Sequence, residues 1–182
     1  MEAISGAVRM DVAGVLASAA KGDEVAFARL VEAHDDAMYR VCIVVGRDHA
    51  IARDAVQAAW TIAWRKLGSV REPERLRAWL ITVAVNETRS LLRSRRKRWL
   101  TEVAVDATDR AGGIDPAVDV GSIDLRDLLE RLDPEDRALL AMRYVAGFNA
   151  TELATAIGIS PSGTRSRLER LVARLRQELT DG

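Results

Sequence analysis

Two groups of side chains in this chain have the types and spacing to grip nucleic acid. Near the C-terminus, Ser162, Arg165, Ser166, Arg167 and Arg170 fall within one short stretch. Small hydroxyl residues permit close approach to base edges, while arginines reach guanines or phosphates. Earlier in the chain, Asn86, Arg89, Arg93 and Arg96 recur at i, i+3, i+4 spacing, which on a helix makes one polar-to-cationic stripe several turns long. Such a stripe can track a phosphate backbone, with the asparagine placed to reach a base. Helix arginines are commonly a solvated face and nothing more, so the elements that carry them must decide the matter.

The later group sits on a well-punctuated scaffold. Asp133 can accept from the N–H groups of a helix opened by Pro134, where a missing donor costs nothing. That apolar helix is expected to run to Ala146 and end at Gly147. Asn149 with Glu152 three residues on makes a capping box for a short helix that stops at Gly158. Ser160-Pro161 then starts a long helix to the end of the chain. A short helix, a glycine-containing turn of three or four residues and a second helix make a helix-turn-helix. Thr164, Leu168, Leu171, Val172, Leu175 and Leu179 form the inward stripe of the last helix, which leaves the arginines outward.

Leu132-Asp-Pro-Glu-Asp-Arg137, Met142-Arg-Tyr144, Gly147-Phe148, Glu152-Leu-Ala154, Gly158-Ile-Ser160 and Ser166-Arg-Leu168 together resemble the C-terminal domain of extracytoplasmic-function sigma factors, small two-domain bacterial transcription initiation factors. A helix-turn-helix alone does not distinguish them from other regulators, so the rest of the chain must agree.

Composition frames that test. The 182 residues are 48% apolar with only four prolines, and alanine, leucine and arginine dominate, so the expected fold is all-α. Formal net charge is zero, which argues against indiscriminate coating of nucleic acid. The charge is nevertheless uneven. A basic block of Arg93, Arg95, Arg96, Lys97 and Arg98 is followed by an acidic stretch containing Glu102, Asp106, Asp109, Asp115 and Asp119. A single cysteine, Cys42, lies at helical spacing with Phe27, Leu30, Val31, Met38 and Val45, and reads as a buried apolar residue in a reducing compartment. His34 and His49 are isolated, so no metal site or cofactor is expected. No apolar run approaches a membrane span and no leader pattern opens the chain, so the expected location is cytoplasmic, without membrane insertion.

In order, a loose tail to about residue 9 precedes helices over 11–20, 24–45, 48–66 and 74–98, with a loop from Leu67 to Pro73. On the third helix, Ala52, Ala55, Val56 and Ala59 make a narrow packing face, with Trp60 and Trp64 beside it and Asp54 and Gln57 on another face. Ala52-Arg-Asp-Ala-Val-Gln57, Trp60 and Ala63-Trp64 resemble the polymerase-binding segment of the same family. The resemblance implies that Asp54, Gln57 and Trp60 contact the clamp helices of core RNA polymerase. Arg53 and Ala58 depart from the family, which usually carries acids there. Trp79-Leu80 through Val85-Asn86, with the arginines that follow, resembles the segments that melt and read the promoter. The resemblance assigns Asn86, Arg89, Arg93 and Arg96 to the −10 element, the loop at 67–73 to a flipped base, and Ser162, Arg165, Ser166, Arg167 and Arg170 to the −35 element.

The expectation is therefore two small helical domains, region 2 over 10–98 and region 4 over 123–182, joined by a flexible acidic linker over 99–122. Gly112-Gly113 and the lack of apolar periodicity predict halves that move independently. The implied function is that of a sigma factor and not of an enzyme. The implied partners are core RNA polymerase, through its clamp helices and flap, and promoter DNA, with an anti-sigma factor as a further protein partner. The rival reading is a stand-alone helix-turn-helix regulator with a helical sensing or dimerising domain. It binds duplex DNA without polymerase, usually as a two-fold dimer.

Overall fold

The structure, a computed structural model, describes residues 11–103 and 123–181; the expected tail before Asp11 and most of the expected linker lie outside them. Every regular element among the described residues is helical.

Aspartates open the N-terminal helices. Asp11 accepts from the Gly14 N–H to start α1 (Val12–Ala19), and Asp23 accepts from Val25 and Ala26 to start α2 (Glu24–Gly46). Asp48 accepts from Ala50 and Ile51 to start α3 (His49–Lys66). Between α2 and α3, Arg47 adopts the left-handed conformation (φ 55°), and its N–H closes on the Ile43 carbonyl at 2.8 Å. The loop after α3 holds two 3₁₀ turns, Leu67–Ser69 and Pro73–Arg75, before α4 (Leu76–Val103). The expected linker began at residue 99, yet α4 continues to Val103 with Trp99 and Leu100 exposed.

The alanine face of α3 does what its composition implies. Ala52, Ala55, Ala59 and Ala63 are fully buried, so α2 and α4 approach closely on either side and seat Leu30, Met38, Val45, Leu76 and Leu80 between them. Cys42 is fully buried in the same layer, and that burial pushes its thiol pKa up to about 11.

The C-terminal elements are α5 (Ile123–Arg131), α6 (Pro134–Leu140), α7 (Ala150–Ile157) and α8 (Pro161–Asp181). One boundary differs from expectation. After Leu140 the helix widens into a π turn over Ala141–Val145, where the Ala146 N–H donates to the Ala141 carbonyl at 3.0 Å. The wider turn buries Met142 and Phe148 and faces Tyr144 and Val145 outward. The capping box at Asn149 and Glu152 is formed, and Gly158 is left-handed (φ 75°), as its place after α7 demands. Leu179, expected on the buried stripe of α8, is 47% exposed because that helix outruns its neighbours after Leu175.

The halves do not stand apart. α6 and the π turn lie on α2, and α6 and α7 touch α4, so one continuous apolar core runs from Leu16 to Leu175. The expectation of independent halves came from the linker composition, which carries no information about complementary faces elsewhere in the chain.

Candidate nucleic-acid interface

Ser160 caps α8 by accepting from the Gly163 N–H at 3.1 Å, and the buried Thr164 hydroxyl donates back to the Ser160 carbonyl at 3.0 Å. These bonds fix the rotation of the helix. Ser162, Arg165, Ser166 and Arg170 are consequently exposed on one outer face, with Arg170 lying along the helix to donate to the Ser166 carbonyl at 3.2 Å. Arg167 is placed differently. Its Nε and Nη2 both donate to Asp136 Oδ1, at 3.2 and 2.8 Å, while Arg174 donates to Asp136 Oδ2 at 3.1 Å. Asp136 is 9% exposed, so it clamps α8 onto α6 from inside the half.

The α4 stripe is also divided. Asn86, Arg93 and Arg96 are exposed. Arg89 is drawn inward, ion-paired with Glu135 and donating to Asn86 Oδ1 at 3.3 Å. Burial, with the charges of Arg93 and Arg167 close by, lowers the Arg89 pKa below the usual arginine value. Arg95, outside the stripe, reaches Asp48 at 2.8 Å and ties α4 to the start of α3. The loop before α4 is rooted by the buried Leu67, with Gly68, Ser69 and Arg71 exposed.

On α3, Asp54 and Gln57 are exposed as their spacing implies. Trp60 is 9% exposed; its indole N–H donates to Asp35 Oδ1 at 2.8 Å and its ring meets Phe27 edge-on at 5.6 Å. Trp60 and Gln57 share a surface cavity of about 350 Å³ with Val31, Asp35, Tyr39 and Arg53. Arg53, one of the two departures from the family pattern, is therefore on the wall of this hollow.

Sequence reading missed Asp35, Tyr39, Glu135 and Asp136 as neighbours of these faces. Glu135 and Asp136 read as ordinary first-turn acids of a capped helix, and only the fold reveals which guanidinium groups they meet. Among the described residues no cluster of histidine, cysteine and carboxylate could hold a metal ion, and no helix is long and apolar enough to cross a membrane.

Comparison with known proteins agrees with this layout. Residues 30–98 match the family model Sigma-70 region 2, and residues 122–175 match Sigma-70, region 4. The sigma factor SigL of Mycobacterium tuberculosis, described as an ECF RNA polymerase sigma factor, is 31% identical over 176 residues, which cover 90% of this chain and 95% of that relative. The probable RNA polymerase sigma factor RfaY of Xanthomonas campestris pv. campestris is 29% identical over 171 residues; the match takes in 90% of this chain but spans 43% of the length of that relative. Among solved structures, the sigma factor RpoE in complex with the anti-sigma factor NepR from Bartonella quintana is similar, with a TM-score of 0.68 and 25% identity over 85% of this chain and 96% of that one.

Proposed function

The chain belongs to the extracytoplasmic-function sigma factors, and from that membership we propose that it binds core RNA polymerase, directs it to specific promoters and helps to melt the DNA. The observation that carries this reading is the pairing of two cationic faces in one chain. One is the outer face of a capped helix-turn-helix, and the other is a separate arginine stripe on a long helix of the N-terminal bundle. A stand-alone regulator accounts for the first face and leaves the second without a task.

Region 2 takes residues 10–98 and region 4 residues 123–182, with 99–122 between them. Ser162, Arg165, Ser166 and Arg170 contact the duplex of the −35 element, and Arg167, occupied by Asp136, holds the reading helix at its angle. Asn86, Arg89, Arg93 and Arg96 follow the −10 element. Asp54, Gln57 and the hollow floored by Trp60 meet the polymerase clamp helices, and the C-terminal half meets the flap. The Bartonella relative was solved with an anti-sigma factor, which supports a protein inhibitor of that class for this chain too. The work is non-covalent, so the protein is not an enzyme, and its place is the cytoplasm with the polymerase.

Run-off transcription with bacterial core polymerase, with and without the protein, tests the reading. Asp54→Lys adds a sharper arm, because an exposed helix position tolerates lysine within about 0.5 kcal/mol. Its melting temperature should match the parent while polymerase assembly and transcript yield fall. Normal transcript from Asp54→Lys and from Gln57→Ala means that α3 is not the docking surface. DNA binding that needs no polymerase and ignores Asp54 would favour the regulator.

A further inference from the structure

The C-terminal half rests on the strand-reading face of α4. Arg89, in the middle of the Asn86–Arg96 stripe, is ion-paired with Glu135 in the first turn of α6, and its side chain is only 20% exposed. Its Nε is buried without a hydrogen-bond partner, so the guanidinium is held by part of its donor set. Three further ties surround this pair. Arg137 Nε donates to the Val45 carbonyl at 2.9 Å, Arg77 Nη1 donates to the Ala146 carbonyl at 2.8 Å, and Arg47 is ion-paired with Glu130. Arg137 is 7% exposed and its Nη1 donates to the Leu132 carbonyl at 2.6 Å and the Leu129 carbonyl at 3.4 Å, so it bolts the base of α6 to the end of α2. The outer face of α8 is untouched by any of this, and Ser162, Arg165, Ser166 and Arg170 stay exposed.

We propose that this arrangement is a self-masked state, in which Glu135 takes the place of a DNA phosphate on Arg89. It occupies Arg89 in the middle of the strand-reading stripe, whose Asn86, Arg93 and Arg96 stay exposed, and leaves the duplex-reading face of α8 open. A carboxylate and a phosphate compete for one guanidinium, because each uses the same donor fork. A melted strand can engage Arg89, and so the full length of the stripe, only after α6 has moved away. The lock is built to be released: Glu135 and Glu130 are 43% and 46% exposed, so water and salt screen both pairs. The two cationic faces are thereby made available in sequence, the duplex reader first and the strand reader on opening.

The proposal rests on the reading of α4 as the strand-reading helix, and its test has an arm that does not. The full-length chain carrying both Glu130→Gln and Glu135→Gln is compared with the parent by small-angle scattering at 100 mM salt. A compact chain of 182 residues has a radius of gyration of about 16 Å. The parent should lie near that value and the double variant several ångström above it. Binding to a fluorescein-labelled 20-nucleotide random single strand should tighten about five- to tenfold in the double variant, and adding Arg89→Ala should erase the gain. Binding to a random 30-base-pair duplex should change by much less. The pair Glu32→Gln and Glu178→Gln makes the same change in net charge on exposed positions away from α4 and should leave strand binding near the parent.

An expanded parent overturns the proposal, as does a double variant that stays compact. So does a double variant that expands without gaining strand affinity, or a charge-matched control that gains equally. Should the double variant lose helicity, Glu135→Gln alone is judged by the same criteria. Loss of run-off transcription in every form, with the scattering and strand results as expected, counts against the sigma reading and not against the lock.

Discussion

Asp136 and Arg167 show how little a residue's type says about its task. Both α4 and α8 are rich in arginine, yet the guanidinium of Arg167 is spent on a 9% exposed carboxylate while Arg165 and Arg170 face out. The variants should separate accordingly. Arg165→Ala and Arg170→Ala should keep the parental melting temperature. Each should weaken binding to the upstream duplex by about 1–3 kcal/mol where it reads a base, or weaken all sequences alike where it holds a phosphate. Arg167→Ala should lower stability by about 1–3 kcal/mol, because it leaves an enclosed carboxylate short of its best partner. Urea unfolding beside duplex titrations checks both, and an Arg167→Ala protein with unchanged stability but lost duplex binding would return that residue to the reading face. The sequence could place Arg167 on the right helix but not on the right side of a partnership. Residues 136 and 167 are brought together by tertiary packing alone, and local spacing does not encode that.

At the scale of the element, much more was legible, because caps and breakers act locally. Asp48 before α3, Asp133 before α6, the box of Asn149 with Glu152, and the left-handed Gly158 all sit where their side-chain chemistry and backbone freedom dictate. What escaped was the π turn at Ala141–Val145, since its apolar residues fit ordinary helical periodicity and the widening is imposed by seating Met142 and Phe148 together. The cap at Asp48 has a measurable pH consequence. The Ile51 N–H, helped by Arg95 and the Ala50 N–H, holds the Asp48 carboxyl below its ordinary value. An unfolded aspartate titrates near about 3.9, so on acidification the unfolded chain takes up this proton first. The contribution of Asp48 is therefore complete above about pH 5, begins to fall as pH nears the unfolded value, and is lost as pH falls through the lower, folded value. Asp48→Asn keeps an oxygen for the cap but does not titrate. Melting curves between about pH 2.5 and 6 should show a shallower acid limb for this variant than for the parent; parallel limbs would mean that the carboxyl is not held down.

For the whole molecule, the two-part organisation was readable and the packing of the parts was not. The order of motifs and the acidic, glycine-broken stretch between them announce two regions. The contacts that join them pair Arg137 with Val45 and Arg77 with Ala146, positions 92 and 69 residues apart. A single sequence offers no means of matching such distant surfaces. Because the core is continuous, with the π turn that carries Met142 lying on α2, the halves should melt together. Calorimetry of the parent should show one transition, and Phe148→Ala should move all of it, at a cost of about 3–5 kcal/mol. Two separated transitions, with only the upper or lower one sensitive to residue 148, would show that the halves are thermally uncoupled.

Cys42 has a practical consequence for seeing such motions directly. With its thiol pKa at about 11, roughly one molecule in ten thousand carries the reactive thiolate at neutral pH, and full burial keeps reagents from even that fraction. The chain has no other sulfhydryl. Maleimide dyes or spin labels attached to cysteines introduced on the surface should therefore report from those positions alone, and the native side chain can stay in place while distances between the halves are followed.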